Sequence, residues 1–109
     1  MNNLNIENND SAHRWEAHVD QHLAVAEYRR RANTIFFIHT EVPRELEGKG
    51  VGSRLVKTAL DGARAQHLVV VPFCPFVASY IRRHPDYKDM VHPDYRDLVE
   101  VEPSEGQNG

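Results

Sequence analysis

Residues 38–60, IHTEVPRELEGKGVGSRLVKTAL, contain the change of pattern that decides the fold. An apolar run ends in His39, and a loop marked by Pro43 follows it. Three glycines then precede a run whose apolar residues have helical spacing: Gly48, Gly50 and Gly52. The stretch predicts a buried strand, a glycine-rich loop and the beginning of an amphipathic helix.

The predicted helix begins at Val51 and has one apolar stripe. The stripe consists of Val51, Leu55, Val56, Ala59, Leu60 and Ala63. Charged residues occupy the other side: Arg54, Lys57, Asp61 and Arg64. This arrangement is typical of a helix that packs one face on a sheet. Gly62 interrupts the run at a cost of about 1 kcal/mol relative to alanine.

Upstream of the loop, the period of two indicates meandering antiparallel strands. Trp15, Ala17 and Val19 alternate with polar residues, which predicts a strand with one wet face. Residues 23–29 form the next strand after a short turn. Residues 34–40 follow, and the four consecutive apolar residues at 35–38 predict a strand covered on both faces.

Downstream of the helix, residues 68–73 predict a short buried strand, and residues 76–84 predict a second helix that Pro85 ends. The order is three or four meandering strands, then strand, helix, strand, helix. The sequence therefore predicts an α/β (α+β) fold with a mixed, mostly antiparallel sheet. Its strand–helix–strand unit should cross over right-handedly.

The length fits one small domain, which we place at residues 11–102. Residues 1–10 are rich in asparagine and are either frayed or an edge strand, since Leu4 and Ile6 alternate. The polar stretch at 103–109 is expected to be a disordered tail.

The composition bears on partners and compartment. A net charge of −3 disfavours tight binding to a long nucleic acid, and no apolar stretch is long enough to span a bilayer. The N-terminus does not resemble a secretory signal, and one cysteine cannot form an internal disulfide. The expected location is the cytoplasm. The histidines lack metal-ligand spacing, so we expect no metal site.

The glycine loop has the position of an anion-binding loop, because a helix N-terminus carries unpaired N–H groups and partial positive charge. Glycines before it let a phosphate approach the backbone. It is not a Walker A loop, because glycine rather than serine or threonine follows Lys49. Its G-x-G-x-G spacing also differs from the dinucleotide fingerprint. A merely tight turn remains the alternative on spacing alone.

A combination of motifs is more specific. HTEVP, LEGKGVGSRLV and VVPFCPFVASYIRRHPDY together resemble the GNAT superfamily of N-acetyltransferases, in particular its small single-domain members with a cysteine in the active cleft. The resemblance spans about residues 13–92. It implies a GNAT-like sheet with a strand–helix–strand cofactor unit and a second short helix, and acetyl-CoA as the bound coenzyme.

The resemblance also implies which residues bind the coenzyme. The pantetheine arm would pair with the strand end at Thr40, Glu41 and Val42. The pyrophosphate loop would be formed by Glu47, Gly48, Lys49, Gly50, Val51, Gly52 and Ser53. Glu47 departs from the glutamine or arginine of the family motif, so only its backbone is expected to contribute. Arg82, Arg83 and His84 form a basic cluster that either meets the phosphates or faces water.

Two residues are candidates for catalysis. By resemblance, Arg82 occupies the position of the tyrosine that many GNAT enzymes use as an acid, which leaves Cys74 as the candidate acid or acetyl carrier. A free cysteine is also commonly a small buried hydrophobe. His39 ends the neighbouring strand and is a candidate base, because imidazoles titrate near neutral pH. A structural role for His39 is the alternative.

These features favour an acetyl-CoA-dependent N-acetyltransferase whose amine acceptor the sequence does not identify. A non-catalytic CoA or acyl-CoA binding module is the second hypothesis, because the short chain leaves little material for an acceptor pocket. A thiol redox protein is disfavoured, since no second cysteine is present to resolve an oxidised thiol. No pattern predicts an oligomeric state.

Overall fold

The computed structural model describes residues 4–100, and five strands form its sheet. In chain order they are β1 (Asn5–Asn9), β2 (Arg14–Val19), β3 (His22–Arg31), β4 (Thr34–Glu41) and β5 (Val69–Pro72). Their spatial order is the same. The first four strands pair antiparallel, and β4 and β5 pair parallel. This confirms the predicted mixed, mostly antiparallel sheet. The tail predicted at 103–109 lies outside the described residues.

Two helices follow β4. The first, α1 (Val51–Ala65), connects β4 to β5, and the second, α2 (Pro75–Arg83), follows β5. Short 3-10 turns complete the chain at Asp10–Ala12, Arg44–Leu46, Pro85–Met90 and Pro93–Val99. Within residues 4–100, neither helix combines the length and apolar character needed to cross a membrane.

The predicted stripe of α1 is buried at all six positions. It packs on one face of the sheet, which we call the inner face and which carries Ala17, Ala24, Ala26, Tyr28 and Phe37. The opposite, outer face carries Glu16, Glu27 and Ile38. Burial of the apolar stripe against these residues is the main source of the helix's stability.

A packing contact, which helix propensity does not take into account, explains why glycine occupies position 62 in α1. A Cβ at this position would lie 2.6 Å from Cζ2 of Trp15, which projects from β2. The indole therefore packs directly on the helix backbone. The glycine lets β2 approach α1 closely despite the cost of glycine in a helix.

The prediction that β4 is covered on both faces is wrong. Ile35 and Phe37 are buried, but the Ile38 side chain is 36% exposed. Both helices contribute to one core cluster that contains Phe37, and the opposite side of β4 at Ile38 stays open. Phe36 instead stacks on the exposed Phe73, with 6.1 Å between the ring centroids. Four successive apolar residues here reflect an open aromatic surface, not a second helical layer.

Candidate active site

A cavity of about 510 Å³, cavity 1, lies between the end of β4, the glycine loop and the beginning of α2. Nine of the ten residues predicted to bind the coenzyme line it: Thr40, Glu41, Val42, Glu47, Gly48, Gly50, Val51, Gly52 and Ser53. Leu46 and Phe76 complete the wall. The two predicted segments, which are separated in the sequence by the loop at 43–46, therefore form one concave surface.

Two different features of the structure explain why glycine occupies the three positions of the loop. Gly48 and Gly50 have φ values of 80° and 78°, in the left-handed region that favours glycine. A Cβ at either position would meet nothing within 4 Å. At Gly52 a Cβ would lie 2.7 Å from Cζ of Phe76. Backbone conformation therefore accounts for Gly48 and Gly50, and a contact with α2 accounts for Gly52. The open space beside Gly48 and Gly50 is compatible with the predicted approach of a phosphate, which stays a prediction.

The backbone at the start of α1 has the properties of an anion site. The first N–H groups of a helix lack intrahelical acceptors, and the N-cap residue Gly50 has no side chain to satisfy them. The first turn holds no acidic residue, and Val51, Gly52 and Ser53 all line cavity 1. The Lys49 amide, by contrast, donates to the Leu46 carbonyl at 3.3 Å. It is therefore already paired within the loop, which distinguishes it from the amides of the first turn of α1.

A second cavity of about 480 Å³, cavity 2, adjoins cavity 1 and shares Gly50, Val51 and Ser53 with it. Its other lining includes five cationic or potentially cationic side chains: Lys49, Arg54, Lys57, Arg83 and His84. Lys57 is paired with Asp61 at 2.9 Å, and that hydrogen bond raises the pKa of Lys57. The helix N-terminus thus separates a partly apolar cavity from a basic one.

Cys74 lies at the junction of β5 and α2, at the N-cap position of α2. Its amide donates to the Phe37 carbonyl at 2.8 Å, which fixes it beside β4. Its Sγ lies 3.3 Å from Oγ1 of Thr40, and either atom can donate in that hydrogen bond. The residue is only 4% exposed, and it is not part of the lining of cavity 1. Thr40 therefore stands between the thiol and the cavity as its polar contact.

A β-bulge decides where His39 lies. Glu27 and Tyr28 are consecutive on β3, but their partners on β4 are His39 and Phe37, so Ile38 is an extra residue. Without the bulge, the period of two would place His39 on the inner face with Phe37. The extra residue turns His39 to the outer face and puts Thr40 on the inner face, opposite Ala26.

The structure consequently does not join the two candidate catalytic residues. His39 is about half exposed, and its Nε2 lies 3.5 Å from Oε1 of Glu41. Among residues 4–100 no hydrogen bond connects His39 with Cys74. The residue that contacts the thiol is Thr40, which the sequence had assigned only to backbone pairing with the coenzyme.

The chain matches the family of GCN5-related N-acetyltransferases over residues 14–90. It also resembles the solution NMR structure of a GCN5-like candidate N-acetyltransferase from Staphylococcus aureus, with a TM-score of 0.66 and 30% sequence identity. That similarity covers 84% of this chain and 91% of the other. The chain belongs to the GCN5-related N-acetyltransferase family.

Two tyrosines of this GCN5-related protein lie in α2 and in the turn after it, Tyr80 and Tyr87. Tyr80 is buried, stacks on His84 with 4.0 Å between centroids, and has a pKa raised chiefly by burial. Tyr87 donates to Asp61 at 2.7 Å, and burial followed by that hydrogen bond raises its pKa to about 12. Neither tyrosine lines cavity 1.

The basic cluster at residues 82–84 divides in this GCN5-related protein. Arg82 donates from Nη1 to the Leu98 carbonyl at 2.8 Å and so supports the C-terminal turn. Arg83 and His84 line cavity 2. Arg82 therefore fits neither alternative from the sequence, whereas for Arg83 and His84 the contact with a phosphate stays a prediction.

Two residues of cavity 1 were absent from the sequence prediction. Phe76 reaches the cavity from the first turn of α2 and packs on Gly52. Leu46 is buried beneath the loop. No local motif marks either residue.

Proposed function

We propose that this protein is an acetyl-CoA-dependent N-acetyltransferase. The observation that carries the proposal is the joining of the strand end at 40–42 with the unpaired amides of α1 in cavity 1. Membership of the GCN5-related family supports it independently. When bound, acetyl-CoA would supply a thioester carbonyl that an amine attacks, with formation of an amide and release of CoA.

The residues present fit the coenzyme. The backbone of Val51, Gly52 and Ser53 would hold the pyrophosphate, because these amides are at the positive end of the α1 dipole. Residues 40–42 would pair with the pantetheine arm, since β5 ends at Pro72 and pairs with no residue of β4 beyond Phe37. The basic side chains of cavity 2 would face the remaining phosphate of the nucleotide.

The chemical roles assigned to side chains are part of the proposal. Cys74 would donate a proton toward the departing thiolate or position the reacting group, and Thr40 would orient its Sγ through their 3.3 Å contact. His39 would take the proton that the amine loses, with Glu41 holding the ring at 3.5 Å. A carrier role for Cys74 is the less favoured assignment, because the thiol is almost fully buried.

A non-catalytic CoA-binding module is the second candidate, and specific observations favour it. Cys74, Tyr80 and Tyr87 are absent from the lining of cavity 1. A chain that binds CoA there without a proton donor in the cavity would sense or buffer the coenzyme.

Calorimetry and product analysis separate the two candidates. Calorimetry gives the Kd for CoA, and mass spectrometry detects acetylated amine after incubation with acetyl-CoA and a panel of amines. A transferase binds CoA and forms amide in proportion to protein concentration. A binding module also binds CoA, with a Kd that calorimetry can measure, but forms no amide. Absence of CoA binding would refute both.

Ser53→Glu is the informative variant. A carboxylate in the first turn stabilises a helix by roughly 0.3–1 kcal/mol, so the fold should not suffer. The same carboxylate would repel the pyrophosphate, and we expect CoA affinity to fall by about tenfold or more, a change of ~1.4 kcal/mol. Thr58→Glu, on the same helix outside both cavities, is the matched control.

A further inference from the structure

The sheet is open between β4 and β5 beyond the pair Phe37–Pro72. β4 continues to Glu41, whereas the chain after Pro72 turns away into α2. Cavity 1 lies on the inner side of this gap, with Thr40 in its wall. The following inference rests on the proposed function. If the coenzyme occupies the inner side, the acceptor reaches the reacting atoms from the outer side.

Two exposed apolar side chains flank the outer side of the gap. Ile38 lies on β4 and is 36% exposed, and Phe73 follows β5 and is 51% exposed. Phe73 is held in place by stacking on Phe36 and by an edge contact with Tyr95 at 5.4 Å. Large apolar groups that are both exposed and fixed form a surface suited to an alkyl chain.

Both carboxylates and arginines lie near this apolar pair on the outer face, and they differ in whether they are paired. Glu27 is the direct cross-strand neighbour of His39 and shares the outer face with it. Among residues 4–100 its carboxylate has no hydrogen bond or ion pair. Its direct partner on β2 is Arg14, whose Nε donates to Glu16 at 2.7 Å. Arg29, two residues further along β3, donates to the Tyr28 carbonyl at 3.0 Å. Glu41 adds a second carboxylate at the rim.

We propose that the outer mouth of this gap, formed by Glu27, Ile38, His39 and Phe73, binds the acceptor as a primary alkylammonium ion. Glu27 attracts the ammonium group, and Ile38 and Phe73 contact the alkyl chain. An amine that carries a neighbouring carboxylate is disfavoured, because Glu27 and Glu41 repel it. The acceptor class is therefore a cationic alkylamine, from either a free diamine or a lysine side chain.

The test is an NMR titration that does not require turnover. Isotope-labelled protein saturated with CoA is titrated with diaminobutane, with Nα-acetyl-lysine amide and with glutamate. Both cations should give saturable shifts at the amides of Glu27, Ile38 and His39, and glutamate should give none there. Tighter binding of diaminobutane would identify the acceptor as a free diamine, and tighter binding of Nα-acetyl-lysine amide would identify it as a lysine side chain. Binding should weaken as salt rises.

Variants separate local recognition from general charge. Glu27→Gln should weaken both cations by about two- to fivefold, as expected of an exposed ion pair. Glu7→Gln removes a carboxylate from the same face two strands away and should change nothing. Phe73→Ala should weaken diaminobutane and uncharged butanol alike, because it removes contact with the alkyl chain.

Several outcomes overturn the inference: shifts elsewhere on the molecule, equal binding of glutamate, or equal effects of Glu27→Gln and Glu7→Gln. These outcomes leave the proposed transferase standing if CoA binds and amide forms. Saturable amine binding at the mouth without amide formation would support the inference about the mouth and refute the proposed acetyl transfer. If CoA does not bind, the same titration of the free protein decides the inference.

Discussion

Gly52 and Phe76 face each other in the wall of cavity 1, where a Cβ on residue 52 would lie 2.7 Å from the phenylalanine ring. Gly52→Ala should therefore push the ring into the cavity and weaken CoA binding. Removal of the ring in Gly52→Ala/Phe76→Ala should relieve that effect. A double-mutant cycle of calorimetric Kd values should give a coupling energy of roughly 0.5–3 kcal/mol. Additive effects would show that the contact does not control the cavity.

Glu16 is a buried carboxylate whose charge the fold satisfies. Asn9 donates to it at 2.9 Å, Arg14 at 2.7 Å, and His18 lies at 3.0 Å. The hydrogen bond from Asn9, then that from Arg14, lowers its pKa from 4.5 to about 2. Since the folded pKa is the lower one, the unfolded chain binds the proton more readily. Its contribution to stability is complete above pH 4.5 and is lost as the pH falls toward about 2.

Glu16→Gln should consequently lower the free energy of unfolding by roughly 1–3 kcal/mol at neutral pH, the range for hydrogen bonds to a charged group. The deficit should shrink below pH 4.5, where the native carboxyl also loses its advantage. Urea denaturation at several pH values measures both effects. Glu7→Gln, an exposed neighbour on β1, is the control. A deficit that is constant down to pH 2.5 would contradict the electrostatic explanation.

At the scale of elements, β2 and α1 are held together by the packing of Trp15 on Gly62. Helix propensity alone predicts that Gly62→Ala stabilises the protein by about 1 kcal/mol. The predicted Cβ position, 2.6 Å from Cζ2 of Trp15, reverses that sign. We expect Gly62→Ala to lower the free energy of unfolding by about 1–3 kcal/mol, as overpacking does.

The Trp15→Phe variant tests whether contact with the indole causes the loss of stability expected in Gly62→Ala. The smaller ring gives the new methyl group space, so Gly62→Ala should be less harmful in the Trp15→Phe background than in the native one. Chemical denaturation of the four proteins measures the difference. Stabilisation by Gly62→Ala in the native background would show that the indole moves aside at little cost.

The elements themselves were predictable because their periods are local. The alternation of β2 and the stripe of α1 are visible in the sequence, and observed ends differ from predicted ones by a few residues. The bulge at Ile38 was not predictable, because a run of four apolar residues contains no alternation that would reveal a slip. That one residue moves His39 from the expected inner face to the outer face.

The residues of the candidate site also divide into those that the sequence predicted and those that it could not. The residues of cavity 1 at positions 47–48 and 50–53 are neighbours in the chain, and one motif predicted them. Phe76 and the Thr40–Cys74 contact depend on how α2 docks and on the parallel register of β4 and β5. Such contacts join residues that are far apart in the chain, 34 positions for Thr40 and Cys74. Periodicity within one element carries no information about them.

At the scale of the whole molecule, cationic side chains gather at cavity 2 although the chain is net negative. The outer sheet face carries both carboxylates and arginines, among them Glu27, Glu41, Arg14 and Arg29. A polyanionic coenzyme is therefore repelled by the net charge of −3 and attracted by the local field at the start of α1. The two contributions have different ranges, since screening acts most on distant charges.

Salt dependence distinguishes these contributions. If the local cations dominate, the Kd for CoA should increase between about 0.05 and 0.5 M salt, because the Debye length shortens to a few ångströms and the attraction is screened. Dephospho-CoA, which lacks one phosphate, should bind more weakly and with a smaller salt dependence. Arg83→Gln should weaken CoA by about two- to fivefold, the range for one exposed ion pair, and leave dephospho-CoA nearly unchanged. Arg31→Gln removes an exposed charge at the end of β3, outside both cavities, and is the matched control. Tighter CoA binding at high salt would mean that the net negative charge prevails and that cavity 2 does not face a phosphate.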